Sequence, residues 1–170
     1  MTIQMLDIKP IDRVLDIGFG GGSAMKKITK LAPDGLVAGI DISEAMLRRG
    51  NKKFSKLLSL DKVSLKEGNA SKIPYENDFF DKVYTVNTIY FWSDPVDDSV
   101  EVYRVMKEGG KFIITYFTKE MFHFTRYGFT LHPEQYLCDS LQKAGFIDIH
   151  VNYREHPRFA TAFIVATKPK

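Results

Sequence analysis

Short runs of β-branched and other apolar residues recur along the chain and alternate with segments of helical periodicity. Seven of these runs have the length and composition typical of strands, and they cover residues 14–17, 36–40, 63–65, 82–86, 111–117, 147–153 and 161–167. Because strands and helices alternate over most of the chain, the pattern predicts parallel strands joined by right-handed crossovers, with helices on both faces of one sheet.

Four amphipathic segments lie between the runs, and each predicts a helix with an apolar inner face. The predicted inner faces are Ala24, Ile28 and Leu31; Met46, Gly50, Phe54 and Leu57; Val96, Val100 and Tyr103; and Leu137, Leu141 and Ala144. Local signals mark the helix ends: Ser43 is a predicted N-cap, Pro95 and Pro133 suit first-turn positions, and Gly145 is a typical stop.

The last two predicted strands follow one another without a helix between them. Only about seven residues separate them, which is too few for a parallel crossover, so they are expected to pair antiparallel. The predicted fold class is therefore α/β: a doubly wound, mostly parallel, seven-stranded Rossmann-like sheet with helices on both faces and a C-terminal antiparallel β-hairpin.

A glycine-rich loop follows the first predicted strand and precedes the first predicted helix. Glycines at such a turn let a ligand lie directly against the backbone, and the helix start presents free N–H groups to it. The dinucleotide pattern G-x-G-x-x-G fits only in part, because its third glycine position is Ser23. The pattern D-x-G-x-G-x-G fits completely, with Asp16, Gly18, Gly20 and Gly22.

An acidic residue, Asp41, ends the second predicted strand, about twenty residues after the glycines. A carboxylate in this place can accept hydrogen bonds from both hydroxyls of a ribose. The alternative is that Asp41 only caps the following helix. The glycine loop before it favours the ribose.

These motifs together resemble class I S-adenosylmethionine-dependent methyltransferases of the small-molecule type. The resemblance covers nearly the whole chain, and the matching stretches are residues 14–22, Asp41, residues 67–70, 73–75, 80–83 and 106–110, and the closing hairpin. It implies an enzyme that uses S-adenosylmethionine and releases S-adenosylhomocysteine. No metal is expected, because no His, Asp and Glu residues cluster with the spacing of metal ligands.

The resemblance also implies roles for individual residues. The implied cofactor-binding residues are Asp16, Gly18, Phe19, Gly20, Gly22, Asp41, Ile42, Asn69, Ala70 and Asn87. Asp16 would hold the loop or meet the cofactor's amino group through water, and Asp41 would bond the ribose. Asn69 and the Ala70 N–H would contact the adenine edge, while Asn87 would lie near the methionine moiety.

Asn69 stands where the family often has Asp. An amide oxygen can still accept a hydrogen bond from the adenine amine. The bond loses its charge assistance, so its contribution falls from about 1.5–3 to about 0.5–1.5 kcal/mol.

Methyl transfer from a sulfonium needs alignment more than acid–base chemistry, and proximity alone can lower the barrier by about 7–11 kcal/mol. The acceptor side is expected beyond the fourth and fifth strands, where Tyr90, Trp92 and Tyr116 are candidate substrate contacts. Residues 117–133 form a predicted aromatic lid. The catalytic residue stays open, with His123, Tyr90 and Tyr116 as candidates; His123 is one of two histidines in this region that could act as a base near neutral pH.

Composition narrows the class of protein without naming a substrate. The 170 residues suit one domain, residues 1–170, and a net charge of +3 is weaker than nucleic-acid binders usually carry. A single cysteine, Cys138, excludes a disulfide within the chain. No signal peptide or membrane span is visible, so a cytoplasmic location is expected. The protein is further expected to be a monomer or homodimer that acts on a small-molecule acceptor.

Three alternatives remain open. Only thirteen residues precede Val14, a short N-terminus that is compatible with a non-catalytic protein or subunit that binds S-adenosylmethionine or S-adenosylhomocysteine. An RNA or protein methyltransferase is disfavoured, since no nucleic-acid domain is appended. A NAD-dependent oxidoreductase is disfavoured by Ser23 and by the terminal hairpin.

Overall fold

The computed structural model describes residues 1–118, 130, 132–155 and 160–170. Its seven strands are β1 (Arg13–Ile17), β2 (Leu36–Asp41), β3 (Val63–Glu67), β4 (Phe80–Val86), β5 (Met106–Phe117), β6 (Ile147–Arg154) and β7 (Thr161–Thr167). They form one sheet in the order β3-β2-β1-β4-β5-β7-β6.

The sheet is parallel except at its C-terminal edge. Strand β1 pairs parallel with β2 on one side and with β4 on the other, and β7 pairs antiparallel with both β5 and β6. The predicted fold class is confirmed, including the antiparallel hairpin. Because chain order reverses between β1 and β4, a crevice opens at the carboxyl ends of these two strands.

Six α-helices and one short 3-10 helix, Ile89–Phe91, accompany the described strands. The α-helices are α1 (Thr2–Met5), α2 (Ser23–Leu31), α3 (Glu44–Lys53), α4 (Ser55–Leu58), α5 (Pro95–Val105) and α6 (Glu134–Lys143). Two buried hydrophobic clusters show that helices cover both faces of the sheet: one contains Val102 and Leu141 of α5 and α6, and the other contains Met25 and Ile28 of α2.

Most of the predicted helix ends are found in the structure. The Met46 N–H donates to the Ser43 side chain at the start of α3, and Pro95 lies in the first turn of α5. Gly145 follows α6 with φ 102°, a left-handed conformation that favours glycine. Pro133 differs slightly, because it is the N-cap of α6 and lies just outside its first turn.

Two predicted inner faces are wrong in part. Leu31 of α2 is 46% exposed, and Met25 is buried in its place. Val100 of α5 is 49% exposed, while Val102 and Val105 are buried. In both helices the apolar residues are compatible with two different inner faces. Tertiary packing decides which of these faces lies against the sheet.

The second predicted helical segment, from residue 46 to 57, is interrupted: α3 ends at Lys53, and α4 begins after Phe54, which is 2% exposed. Strand β5 begins earlier than predicted, at Met106. The pairing of Phe80 with Met106 is followed by that of Lys82 with Lys111. The intervening residues 107–110 therefore form an irregularity inside β5.

Candidate cofactor-binding site

A cavity of about 450 Å³ lies at the carboxyl ends of β1, β2 and β4. Most of the residues that the sequence assigns to cofactor binding line it, namely Gly18, Gly20, Asp41, Ile42, Asn69, Ala70 and Asn87. Segments far apart in the chain therefore meet around one space, as expected for a ligand site at the reversal point of a doubly wound sheet.

The glycine loop follows β1 directly and is shaped for close backbone approach. Gly18 has φ 77°, and its N–H donates to the Ile40 carbonyl at 2.8 Å. A Cβ at Gly18 would overlap the Thr88 side chain, so glycine is required there. At Gly20, with φ 49°, a Cβ would meet no atom within 4 Å, which leaves open space beside the backbone for a ligand.

Asp41 ties the end of β2 to this loop. Its Oδ2 accepts a hydrogen bond from the Gly20 N–H at 2.9 Å, and its Oδ1 accepts one from the Ser43 N–H at 2.9 Å. Each carboxylate oxygen has a second acceptor direction, and Asp41 lines the cavity. This geometry fits a ligand that carries two neighbouring hydroxyl donors.

Asp16, Phe19 and Gly22 are not among the cavity-lining residues. Asp16 is buried, and its Oδ2 accepts a hydrogen bond from the Tyr84 hydroxyl at 2.5 Å. Burial raises the pKa of the Asp16 carboxyl to about 7, despite that bond. Phe19 packs in the core, and Gly22 is the N-cap of α2 with φ 64°. The assignment of these three residues to cofactor binding stays a prediction.

Asn69 and Ala70 lie on the segment after β3. The Asn69 Oδ1 accepts hydrogen bonds from the Ser71 hydroxyl at 2.9 Å and from the Lys72 N–H at 3.0 Å. The same segment is attached to α5, because the Ile73 N–H donates to Glu101 Oε1 at 2.8 Å. These bonds hold the segment as a fixed side of the cavity.

Two side chains of the cavity contain a buried oxygen that has no hydrogen-bond partner within the described structure. They are Asn87, through Oδ1, and Asp98, through Oδ2. Asn87 has φ 58°, and its backbone N–H donates to the Thr115 carbonyl at 2.8 Å. Burial raises the pKa of Asp98 to about 6. An unpaired buried oxygen costs about 1–3 kcal/mol, so these two side chains are candidates to accept hydrogen bonds from a ligand in the cavity.

Sequence reasoning did not single out Asp98. It follows Asp97 in the first turn of a helix, where acids are common because they suit the helix dipole. The signal that could have found it is helical spacing: Asp98 lies four and seven positions before Val102 and Val105, on the buried face of α5. A carboxyl on a buried face needs a partner.

The predicted substrate contacts occupy different places. Trp92 lines the cavity and stacks on Phe112, with ring centroids 6.3 Å apart. The Tyr90 hydroxyl accepts a bond from the Phe117 N–H at 2.7 Å, and the Tyr116 hydroxyl donates to Glu134 at 3.3 Å. Burial raises the pKa of both tyrosines. Neither is among the lining residues, and their catalytic roles stay predictions.

His123 lies outside the residues that the structure describes, as does most of the predicted lid, residues 117–133.

Within the described ranges, no three or more His, Cys, Asp or Glu side chains cluster in a way that could hold a metal ion. No helix there is both long and apolar enough to cross a membrane. The expected independence from metals stays a prediction for the whole chain.

A glycine loop after β1, an acid at the end of β2 and a cavity at the reversal point are an arrangement typical of nucleotide-type cofactor sites on doubly wound sheets. A sequence model of the family described as "Methyltransferase domain" matches residues 15–114. Since this is more than half of the 170 residues, the chain belongs to the methyltransferase domain family.

Individual relatives agree with this assignment. An uncharacterized methyltransferase of Bacillus subtilis, YdaC, is 31% identical over 99% of this chain and 90% of its own length. A demethylmenaquinone methyltransferase of Symbiobacterium thermophilum is 33% identical, but this alignment covers 79% of the chain and only 54% of that protein. The chain thus spans about half the length of that second relative.

Solved structures of low sequence identity have the same fold. Phosphoethanolamine N-methyltransferase 2 of Haemonchus contortus, in complex with S-adenosyl-L-methionine, superposes with a TM-score of 0.85. The match covers 99% of this chain and 51% of that one, at 20% identity.

Proposed function

We propose that this protein binds S-adenosylmethionine in the cavity and transfers its methyl group to a small, largely apolar acceptor. The observation that carries the proposal is the Asp41 carboxylate. It is fixed by the backbone N–H groups of Gly20 and Ser43 and still lines the cavity, which is the arrangement that a ribose with two free hydroxyls requires.

The remaining cavity fits the other parts of this cofactor. The open space beside Gly20 accommodates the aminoacid portion against the backbone. Ile42 and Ala70 offer apolar surface for a flat base. The unpaired Asn87 oxygen lies at the end of β4, where a donor of the methionine moiety would satisfy it.

The bound cofactor supplies a methyl group already activated by a positive sulfur. The chain's own residues then have to position the two reactants and exclude water. Fixed loops on the sheet, held by Asp41 and by the Glu101 bond to Ile73, provide rigid positioning. Alignment of this kind can contribute about 7–11 kcal/mol to catalysis, and no acid–base pair is needed for acceptors that react in their ionised form.

The acceptor end of the cavity is proposed to lie beside Val86, Phe91 and Trp92, which provide apolar lining. Relatives whose names state an activity include a demethylmenaquinone methyltransferase and a 2-methyl-6-phytyl-1,4-hydroquinone methyltransferase of rice. A substituted hydroquinone is therefore the first acceptor class to test, with simple phenols and amines beside it.

The test is methyl transfer from radiolabelled S-adenosylmethionine to a panel of hydroquinones, phenols and amines, with product identified by mass spectrometry. The proposal predicts label in at least one apolar acceptor and stoichiometric S-adenosylhomocysteine. Lys52→Ala serves as the matched active control, because Lys52 is exposed on α3 and does not line the cavity. Tight cofactor binding with no transfer to any acceptor class would favour the non-catalytic alternative.

A further inference from the structure

Asp98 is an unusual residue to bury at the start of a helix. It is 2% exposed, it lines the cavity, and its Oδ2 accepts no hydrogen bond from the described residues. Backbone groups of Ser93 and Asp94 hydrogen-bond the Asp98 carboxyl and lower its pKa, but the nearby carboxylates of Asp94 and Asp97 raise it, and Oδ2 stays without a partner. The missing partner is therefore a hydrogen-bond donor that enters the cavity with a ligand.

The residue that resemblance assigns to the base, Asn69, already uses its oxygen. The Lys72 N–H can only donate, so the Asn69 atom that faces it must be the carbonyl oxygen. The Ser71 hydroxyl donates to the same oxygen. With both acceptor directions filled, Asn69 presents its amide N–H groups to a ligand, and it accepts from an amine only if the bond from Ser71 or Lys72 is given up.

Asp98 lies beside the same segment. Asp98 and Glu101 are three positions apart on α5, so they lie on one face of the helix. Glu101 binds the Ile73 N–H, which attaches that face to residues 68–73. The cavity side formed by Asn69, Ala70 and Ser71 is thus adjacent to the Asp98 carboxyl, and all four residues line the same space.

On the basis of the proposed function, we propose that Asp98 accepts the hydrogen bond from the exocyclic amine of the cofactor's adenine, in place of Asn69. Asn69 is exposed and Asp98 is buried, so water competes far less for the bond to Asp98. The carboxylate thereby selects a base that carries an amine at this edge.

The experiment compares two ligands by calorimetry: S-adenosylhomocysteine and its 6-deamino analogue, in which purine replaces adenine. The wild-type protein is expected to favour the amine-bearing ligand by about 10–100-fold, as for a hydrogen bond to a buried charged group. Asp98→Ala is expected to reduce this ratio to near one. Asp98→Asn keeps a neutral acceptor and the side-chain size, and should give an intermediate ratio.

Asp97→Asn is the matched control, because Asp97 is the exposed neighbour on the same helix turn. It should keep the wild-type ratio, and so should Asn69→Ala, even if a looser loop weakens both ligands equally. A purely structural role for Asp98 would change both affinities and leave their ratio unchanged.

Two results overturn this assignment while leaving the proposed function intact. In the first, the wild type binds S-adenosylhomocysteine, but the ratio is lost in Asn69→Ala and kept in both Asp98 variants. In the second, Asp98→Asn keeps the ratio and abolishes methyl transfer, which would place Asp98 on the acceptor side. Failure of the wild type to bind either ligand would instead overturn the proposed function, and this inference with it.

Discussion

The two ends of the cavity differ in how their polar groups are satisfied. At the β1–β2 end, Asp41 is bonded by two backbone N–H groups, and Asp16, which is buried next to the lining residue Ile17, accepts a hydrogen bond from the Tyr84 hydroxyl. At the β4–α5 end, Asn87 and Asp98 each keep a buried oxygen without a partner in the described structure.

The difference separates two kinds of site residue. The first end is a preformed scaffold, whose hydrogen bonds exist before any ligand arrives and fix where a ligand can lie. At the second end, burial of the unpaired oxygens costs free energy that no hydrogen bond within the described structure offsets. A ligand that donates to these oxygens would offset this cost on binding. Changes at the first end should therefore affect folding as well as binding, and changes at the second should affect binding alone.

The largest effect is expected for Gly18→Ala. A left-handed conformation costs a non-glycine residue about 1–2 kcal/mol, and overlap with Thr88 adds about 1–3 kcal/mol. Urea denaturation should therefore show a loss of about 2–5 kcal/mol, together with loss of ligand binding. Gly21→Ala is the control, because a Cβ there meets nothing within 4 Å and should cost under about 1 kcal/mol. Equal stability of the two variants would refute the preformed loop.

Asp41→Ala is expected to weaken S-adenosylhomocysteine binding by about 30–150-fold, since it removes an acceptor of charge-assisted bonds and the tether of the loop. Calorimetric titration measures this directly. Lys52→Ala should bind like the wild type. An unchanged affinity in Asp41→Ala would mean that the ribose lies elsewhere.

A pH-dependent effect of about 2 kcal/mol is expected from Asp16. Its pKa in the folded protein is about 7, above the ordinary 3.8, so between these values the folded state holds a proton that the unfolded state has released. Stability is therefore lost as pH rises through this window. Relative to Asp16→Asn, which does not titrate, the wild type should lose about 2 kcal/mol between pH 5 and pH 7. A constant difference across this range in urea denaturation would contradict a raised pKa for the buried Asp16 carboxyl.

The smallest effect is expected for Asn87→Gly, which removes the unpaired amide while glycine tolerates the observed φ of 58°. Stability should stay within about 0.5 kcal/mol of wild type, and cofactor affinity should fall by about 3–10-fold, as for one neutral hydrogen bond. A variant that is strongly destabilised but binds normally would reverse the proposed difference between the two ends.

Much of this arrangement was predictable from the sequence, for reasons that are local. The first strand, the glycine loop and Asp41 follow one another within residues 14–41. Their arrangement can therefore be predicted from their spacing along the chain. The short connection before β7 likewise predicts the hairpin.

What the sequence did not predict depends on contacts between distant segments. Whether Val100 or Val102 faces the sheet is decided by packing, and the Asn69 oxygen is engaged only because the backbone turns back at Lys72. The importance of Asp98 appears only when α5 is docked against residues 68–73. Tyr90 likewise binds the Phe117 backbone, a contact that spacing alone does not reveal.

The most direct test of the central claim is calorimetric titration of the purified chain with S-adenosylmethionine, S-adenosylhomocysteine and NAD. Binding of the first two in the micromolar range, without binding of NAD, is the predicted result and would establish the cavity as a methyl-donor site. Binding of NAD, or of none of the three, would contradict the assignment of Asp41 and the glycine loop to this cofactor.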